Sequence, residues 1–402
     1  MLKNSRFWLV TASIAAAGLL AACGGSSTSS SSAAPAESSA PASESSAAPS
    51  SAASTGGDVN LDGGGKSMYV LMPSTSNNYL AEWRRGMESV AAELNYKVTV
   101  VENNFDQSEQ DLQVQQALAS GESPDIFVFW PADSKAGVAS LRALSQSGVP
   151  VVVANQPPPQ EALPFMTMYA GVDDFFNGKV SGDLMLGARE AAASAGKKFA
   201  SPEGNLIEIM FAPGYQASVA RHDGFIEATS SAPFNTIASE YAGFDNEAGY
   251  KTMSQLIAAN KAKGIDFVYA HNDALAAGVI KALEEAGLVP GKDVYVVGGT
   301  CHGDLSALEA GKQYGSGLQG ARLEGNVVSL AVARYFANGA TVTEGEDRPE
   351  PSADFPTTTA PPAFYNYIPN PGVVFSADKA ANVALLDDTV LWGDTMRNLC
   401  TY

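Results

Sequence analysis

The feature that most constrains the fold is an alternation of short apolar runs with amphipathic segments, which recurs about every 30 residues after Lys66. The run Met68 to Met72 has the length of a buried strand. The segment after it places Leu80, Trp83 and Met87 at the three-and-four spacing of one apolar helix face. Strands separated by helices are joined by parallel crossovers, so the pattern predicts an α/β fold whose sheets are covered on both faces.

Two such series follow one another. The predicted strands are 68–72, 97–101, 126–130 and 149–154 in the first series, and 169–172, 206–211, 237–241, 267–270 and 294–297 in the second. The predicted helices between them are 80–94, 107–120, 134–147, 175–195, 218–229, 247–260 and 273–286. The sequence therefore predicts two doubly wound, Rossmann-like lobes with parallel sheets.

The pattern loosens after Gln319. A helix near 323–338 precedes a Pro- and Thr-rich loop at 339–362, to which the sequence assigns no role. A short strand at 373–375, a helix from Asp378 and a tail with Trp392 and Cys400 complete the chain.

The first 23 residues have the features of an export signal. Lys3 and Arg6 precede an uncharged, mostly apolar stretch from Phe7 to Ala22, which is too short and Ala-rich for a membrane span. Leu20 to Cys23 resembles the lipobox of bacterial lipoproteins, in which the cysteine carries the lipid. The alternative is an ordinary signal peptide followed by a chance cysteine. Residues 24–65 are almost entirely Ser, Ala, Pro, Gly and Thr, which predicts a disordered tether.

The remaining cysteines and the net charge indicate a disulfide bond and limit the possible partners. If Cys23 carries lipid, Cys301 and Cys400 form an even pair in a compartment that permits disulfides, and we expect them to bond. Two buried free thiols are the alternative. The formal net charge of −19 argues against nucleic acid and anionic lipid surfaces as partners, although acidity also simply keeps an exported protein soluble.

Motifs for catalysis, cofactors and metals give no support to an enzyme. Gly315, Gly317 and Gly320 have G-x-G-x-x-G spacing, but they lie far from the first strand-to-helix turn, and small residues at a strand end explain them as well. The three histidines are not at i, i+4 spacing and no C-x-x-C pair is present, so no metal is expected. We also find neither a G-x-S-x-G elbow nor a phosphate-binding G-x-x-x-x-G-K-[ST] loop.

Polar and aromatic side chains follow the predicted strands, at the edge where open α/β sheets bind ligands. Amides bond to hydroxyl groups and aromatic faces suit the C–H face of a sugar ring. Each residue could instead be a cap or turn residue. The residues are Asn77, Asn78 and Tyr79 after the first strand, Trp130 at the third, Asn155 and Gln156 after the fourth, and Asn272 and Asp273 after the strand ending at Ala270.

These residues carry a resemblance that runs over most of residues 66 to 380. The matching segments, in order, are 77–79, 127–134, 149–154, 170–173 with 177–179, 221–225, 244–245, 270–274, 296–298 and Gln319. The chain resembles the ribose-binding family of periplasmic binding proteins, which share a fold with the effector domains of LacI-type repressors.

The resemblance implies two lobes joined by a three-segment hinge near residues 170, 319 and 370. The N-terminal lobe would comprise 66–169 and 320–370, and the C-terminal lobe 170–319 and 371–402. The ligand would lie between them, held by Asn77 or Asn78, Tyr79, Arg221, Phe244, Asn272 and Gln319. Trp130, Asn155, Gln156 and Thr300 extend this predicted site. Arg221 would donate two hydrogen bonds to the ligand, and Tyr79 and Phe244 would sandwich its ring.

Two departures from the family pattern change the expected ligand. Asn155 and Gln156 stand where pentose and hexose binders usually carry an Asp-Arg pair, and Gly299 with Thr300 stands where an Asp follows the Val-Val-Gly strand. Carboxylates that accept bonds from hydroxyl groups are thus replaced by neutral groups. The ligand could be a different sugar from ribose, a polyol or another hydroxylated metabolite.

The resulting expectation is a monomeric, non-enzymatic solute-binding lipoprotein without a cofactor. It would be exported, anchored by lipid to the outer face of the cytoplasmic membrane, and deliver a sugar or polyol to the permease of an ABC transporter. A sensor subunit that presents its closed form to a signalling receptor is the alternative. Replacing Arg221 with alanine should abolish stabilisation by the ligand and leave the free protein nearly unchanged.

Overall fold

A computed structural model describes residues 60–121, 123–340, 363–367, 373–391 and 394–401. The predicted export signal, Cys23, residues 24–59 of the predicted tether, the loop from residue 341 to 362 and Trp392 lie outside these ranges. Residues 60–65, predicted as the end of the disordered tether, are instead bound to the first lobe, because the amides of Gly63 and Gly65 donate to the carbonyls of Leu94 and Asn95 at 2.7 and 2.8 Å.

The first lobe is built on a six-stranded parallel sheet with the strand order β11-β5-β4-β3-β1-β2. Helices cover both faces. Trp83, Met87 and Val328 belong to the core on one face, and Val114 and Leu141 to the core on the other. The strands are β1 (Ser67–Pro73), β2 (Lys97–Asn103), β3 (Ile126–Phe129), β4 (Val151–Ala154), β5 (Met168–Val172) and β11 (Ala363–Tyr367). The helices are α1 (Asn78–Glu93), α2 (Gln107–Ala119), α3 (Val138–Gln146) and α9 (Ala321–Ala337).

The second lobe repeats this architecture with the strand order β12-β10-β9-β8-β6-β7, in which β12 alone runs antiparallel to its neighbour among the described strands. Its strands are β6 (Asn205–Met210), β7 (Asn235–Tyr241), β8 (Phe267–Ala270), β9 (Tyr295–Gly298), β10 (Gly315–Ser316) and β12 (Val373–Val374). Its helices are α4 (Asp174–Ser194), α5 (Gln216–Thr229), α6 (Asn246–Asn260), α7 (Asp273–Glu285) and α8 (Ser306–Glu309). The predicted α/β fold with two doubly wound lobes is confirmed.

The chain passes between the sheets three times, after β5, between β10 and α9, and between β11 and β12. Strand β5 pairs with β4 through Val152 and Met168, so it belongs to the first lobe and is the last strand before the chain first crosses to the second lobe. The boundary predicted between residues 169 and 170 therefore falls inside a strand of the first sheet and is wrong by about three residues. An apolar run followed by a helix has the same pattern at the end of one lobe and at the start of the next. Periodicity therefore could not decide to which lobe this strand belongs.

The glycines of the G-x-G-x-x-G sequence lie where the chain crosses between the lobes for the second time, from β10 to α9. A Cβ on Gly315 would lie 2.9 Å from the carbonyl oxygen of Val373, and one on Gly317 would lie 2.8 Å from that of Gly299. Gly320 is the residue before α9. Close backbone packing accounts for Gly315 and Gly317.

Several helices begin at an Asn or Asp that follows a strand, and its side chain accepts a hydrogen bond from the first turn. Asn77 accepts from the amide of Tyr79 at 2.9 Å, and Asn272 accepts from that of Leu275 at 2.7 Å. One predicted helix starts late. Asp133 accepts from the amides of Lys135 and Ala136, which holds a separate turn there, and α3 begins at Val138 instead of residue 134.

The C-terminal tail packs on the second lobe. It contains α10 (Lys379–Asp388), the two-stranded pair β13 (Val390–Leu391) and β14 (Asp394–Thr395), and α11 (Met396–Cys400). The predicted disulfide is present between Cys301 and Cys400, with their sulfur atoms 2.11 Å apart. Both cysteines are buried in one apolar cluster with Leu308, Leu386 and Met396. The tail is therefore bound to the second lobe by the disulfide and by apolar packing, as expected.

Within the residues that the structure describes, no helix combines the length and the apolar character needed to cross a lipid bilayer.

Candidate functional site

A pocket of about 510 Å³, counting the space open to solvent, lies where loops of both lobes meet. Its lining follows the carboxyl ends of strands in both sheets, the edge where parallel sheets bind ligands. The lining residues are Asn77, Tyr79, Leu80, Phe105, Trp130 and Asn155 from the first lobe, Asp174, Phe211, Tyr215, Ala217, Arg221, Phe244, Asn272, Thr300 and His302 from the second, and Gln319 between them.

Nine of the eleven predicted ligand-binding residues line this pocket, and Asn78 and Gln156 do not. Asn78 is exposed at the start of α1. Gln156 is buried and joins the two lobes, because its Oε1 atom accepts a hydrogen bond from the amide of Gln216 at 3.1 Å. Both predictions placed these residues by their nearness to a strand end, which does not fix the direction of a side chain.

Arg221 is the charged centre of the pocket and is only 3 % exposed. Its Nε atom donates to Asp174 at 2.7 Å, Nη2 donates to Gln319 at 2.6 Å, and Nη1 donates to the carbonyl of His271. Burial alone would lower the pKa of Arg221, but the attraction of Asp174 raises it above its ordinary value. The guanidinium group therefore stays charged and is held in one orientation.

The packing of two helices brings Asp174 to Arg221. A Cβ on Gly178 of α4 would lie 2.1 Å from the carbonyl oxygen of Arg221 on α5, so only a glycine allows this approach. Burial raises the pKa of Asp174, and the charge of Arg221 opposes that effect. A carboxylate paired in this way can help a guanidinium group to hold a hydroxylated ligand.

A second polar group surrounds Asn155, which follows β4 in a left-handed conformation at φ 61°. Its Nδ2 atom donates to Glu324 at 3.0 Å, and its Oδ1 atom accepts from the hydroxyl of Tyr215 in the other lobe at 2.8 Å. The hydroxyl of Tyr79 also donates to Glu324, and Gln319 donates to Tyr79. Hydrogen bonds thus run from the first lobe through Gln319 to Arg221.

Aromatic rings form the apolar walls. Phe105 of the first lobe stacks on Phe244 of the second with ring centroids 5.3 Å apart. Phe211 and Tyr215 lie 5.4 and 4.9 Å from the same Phe244 ring. Tyr79 instead has its ring 5.9 Å from that of His302. The ring that faces Phe244 from the first lobe is therefore Phe105, and the hydroxyl of Tyr79 is bound in the polar network. The sandwich of a ligand ring between Tyr79 and Phe244 stays a prediction.

Behind the pocket, Glu208 on β6 supports this arrangement. It lies 2.9 Å from Nδ1 of His222 and 3.0 Å from Nε2 of His271, the residue whose carbonyl accepts from Arg221. Burial alone would raise the pKa of Glu208, but the two imidazoles hold it well below its ordinary value. Burial lowers the pKa of His271, whereas the bond to Glu208 raises that of His222. Within the described ranges, no three His, Cys, Asp or Glu side chains are arranged to hold a metal ion.

Several lining residues escaped the prediction. Phe105 and Phe211 come shortly after β2 and β6, so the rule that identified Asn77 would also have identified them. Asp174 and Tyr215 lie at helix starts. Glu324 does not line the pocket, but it falls on the apolar face of α9, where a carboxyl group is unusual and signals a polar partner. The other lining residues that were missed are Leu80, Ala217 and His302.

Comparisons with known proteins agree with the two-lobed fold. A family model described as a periplasmic binding protein domain matches residues 68–340. The ribose import binding protein RbsB of Escherichia coli K12 is 28% identical over 250 residues, which cover 61% of this chain and 77% of that protein. The xylitol-binding protein of Mycolicibacterium smegmatis is 26% identical over 268 residues, which cover 66% of this chain and 71% of that protein.

Solved structures show the same fold at lower identity. A galactofuranose binding protein superposes with a TM-score of 0.63 at 20% identity, covering 79% of this chain and 97% of that one. A myo-inositol binding protein from Caulobacter, bound to myo-inositol, superposes with a TM-score of 0.60 at 20% identity, covering 72% of this chain and 92% of that one.

Proposed function

Because this chain belongs to the periplasmic binding protein family, we propose that it captures a small sugar or polyol between its lobes and delivers it to the permease of an ABC importer. The pocket between the two lobes, with Arg221 and Asp174 at its centre and aromatic walls, is the observation that carries the proposal.

The chemistry of the lining supports a ligand with several hydroxyl groups. Arg221, Asn77 and Thr300 can donate hydrogen bonds, and Asp174 and Gln319 can accept them. Phe105, Phe211 and Phe244 offer apolar faces to the C–H groups of a ring. Proteins that resemble this chain are named for binding ribose, galactofuranose and xylitol, which share this mixture of hydroxyl and C–H surface.

The proposed ligand contacts are the predicted residues that line the pocket, together with residues that the sequence did not indicate. They are Asn77, Tyr79, Trp130, Asn155, Arg221, Phe244, Asn272, Thr300 and Gln319, joined by Phe105, Asp174, Phe211, Tyr215 and His302. The pocket is lined from both lobes, so a ligand that contacts both favours the closed arrangement by its preference for that form.

A panel of hydroxylated compounds tests the ligand class. Thermal unfolding of the protein should be followed with D-ribose, D-galactose, xylitol and myo-inositol, with L-leucine as a control that lacks hydroxyl groups on its side chain. A ligand at a thousandfold excess over its Kd stabilises the protein by about 4 kcal/mol, which raises the Tm by several degrees. We expect one chemical class of the panel to do so. A rise with L-leucine alone would contradict the proposal.

The cellular location is also part of the proposal. We infer that the chain is exported and acts as a monomer. We also infer that lipid on Cys23 holds it at the outer face of the cytoplasmic membrane, because the residues before Cys23 have the order of a lipobox. Two acyl chains would make that anchor stable where one would be marginal.

Cys23→Ala tests the anchor. Without the thiol no lipid can be attached, so the variant should move from the membrane fraction to the soluble fraction of cells that produce it. Ser26→Ala, which changes a residue just beyond the lipobox, is the control and should stay with the membrane. An alanine variant that remains in the membrane fraction would refute lipid attachment at Cys23.

A further inference from the structure

Glu324 is a buried carboxyl group close to the pocket that the proposed ligand contacts do not include. It lies in the first turns of α9 with a side chain that is 0 % exposed. Gly325, the next residue, allows α9 to approach α1, because a Cβ there would lie 2.0 Å from the carbonyl oxygen of Trp83. This approach places Glu324 beside Tyr79, and such a burial of a carboxyl group needs compensation.

Hydrogen bonds supply part of that compensation. Asn155 donates to the two carboxyl oxygens of Glu324 at 3.0 and 3.2 Å, and the hydroxyl of Tyr79 donates to Oε2. Both donors line the pocket and both have partners beyond the first lobe, since Asn155 accepts from Tyr215 and Tyr79 accepts from Gln319. Glu324 thus holds two ligand-facing side chains from behind.

Among the described residues, no positive charge balances this carboxyl group. In the part of the chain that the structure describes, no Lys, Arg or His lies within ion-pair distance of Glu324. The groups that face it are Tyr79 from α1, Tyr169 from β5, Tyr215 before α5 and Asp174 from α4. Arg221 is already bonded to Asp174. Burial raises the pKa of Glu324 to about 7, the repulsion of Asp174 adds to that effect, and the bonds from Tyr79 and Asn155 oppose it.

We propose that Glu324 takes up a proton from solvent when the lobes close on the ligand, and that it is a positioning residue which makes ligand affinity depend on pH. This inference rests on the proposed binding function. Asp174 and Tyr215 belong to the second lobe, so closure adds a like charge and removes water from Glu324, and both changes favour the neutral acid. The neutral acid donates its proton to the oxygen of Tyr79. The hydroxyl of Tyr79 then donates its own proton to an oxygen of the ligand in the pocket.

The sign of the pH effect follows from linkage. The closed form holds the proton more tightly than the open form, so binding is strongest where Glu324 is protonated in both forms. Affinity then falls as the pH rises toward 7 and levels off above it. The slope can reach about tenfold per pH unit. We expect affinity to be at least about fivefold weaker at pH 8 than at pH 5.5.

Glu324→Gln removes the titration while keeping the size of the side chain. Isothermal titration calorimetry with whichever compound of the panel binds should show a nearly constant affinity for this variant between pH 5.5 and pH 8. At pH 7 the wild-type protein should take up a fraction of a proton, measured from the difference in heat between phosphate and Tris buffers, and the variant should take up none. His222 titrates in both proteins, so their difference isolates Glu324. The exposed Glu203 gives the control Glu203→Gln, which should behave like the wild type.

Tyr79→Phe is a second variant, in case Glu324→Gln does not fold. It removes a hydrogen bond that stabilises the ionised carboxyl group, so the midpoint of the pH profile should move to higher pH, whatever happens to the affinity itself. A pH profile with the same shape in the wild type and in Glu324→Gln, or an unmoved midpoint in Tyr79→Phe, would overturn the inference.

Small-angle X-ray scattering without any ligand separates this inference from the proposed function. If no compound of the panel binds, the proposed ligand class is wrong, but proton-linked closure can still be measured. The radius of gyration of the wild type should increase from pH 5.5 to pH 8 as the lobes part, and that of Glu324→Gln should stay constant. Equal changes in both proteins, or no change in the wild type, would refute the role of Glu324.

Discussion

Arg221→Ala is expected to weaken ligand binding strongly, by about 2 to 5 kcal/mol, or roughly 30-fold to several thousandfold in Kd. The guanidinium group lies at the centre of the pocket, bonded to Asp174 at 2.7 Å and to Gln319 at 2.6 Å. Alanine removes the donors for the ligand and also the link between Asp174 and the second polar group. Titration calorimetry with the active compound of the panel measures the loss.

The same substitution should destabilise the free protein, contrary to the expectation from the sequence. Asp174 is 2 % exposed, and without Arg221 its charge would be buried without a partner. Breaking a buried ion pair in this way costs about 3 to 5 kcal/mol. The double variant Arg221→Ala, Asp174→Asn removes both charges, so it should regain much of the stability without regaining affinity.

Arg189→Ala is a matched control. The guanidinium group of Arg221 lies 4.9 Å from the centroid of Phe211. That of Arg189 packs in the same way, 4.4 Å from the centroid of Phe234, but Arg189 does not line the pocket. Its removal should leave affinity unchanged within about twofold. Full affinity in Arg221→Ala would remove Arg221 from the ligand site.

Loss of the disulfide is expected to have the second large effect. The chain-entropy model gives about 4 to 5 kcal/mol for a bridge that closes a loop of this size, between residues 99 positions apart. Cys301→Ser with Cys400→Ser should lower the midpoint of urea unfolding accordingly. The tail from α10 to α11 should become sensitive to proteases, because the cluster around Leu386 and Met396 would hold it without a covalent bond.

Ligand binding should change little in this variant, by less than about threefold, because other bonds hold the edge of the pocket. The amide of Thr300 donates to Asp273 at 2.7 Å, and Ser316 donates to the same carboxyl group at 2.9 Å. Dithiothreitol on the wild type should reproduce the loss of stability and have no further effect on the variant. An unfolding midpoint that does not move in either experiment would show that the bridge is not formed in solution.

Much of the fold could be predicted because its signals are local. The strand Phe267–Ala270 was predicted with its exact bounds, and the helix Gln107–Ala119 with its start, because an apolar run or a capped amphipathic segment is recognised within a short window. Strands β10, β11, β13 and β14 were missed. Strands β10, β13 and β14 have two residues each, too few for an alternating pattern to be recognised, and β11 directly follows the Pro- and Thr-rich segment that the sequence assigns to a loop.

The sequence by itself determined the two α/β series, the strand ends that carry Asn77, Asn155 and Asn272, and the likeness that pointed to Arg221. Only the tertiary structure decided that Phe105 faces Phe244, that Gln156 joins the lobes, and that Glu324 lies behind the pocket. Asn155 and Glu324 are 169 residues apart, and Arg221 and Gln319 are 98 apart. Periodicity is a property of neighbouring residues. Contacts between distant residues depend instead on the path of the chain through the three crossovers and on the glycines that let helices approach each other. No local pattern encodes that arrangement.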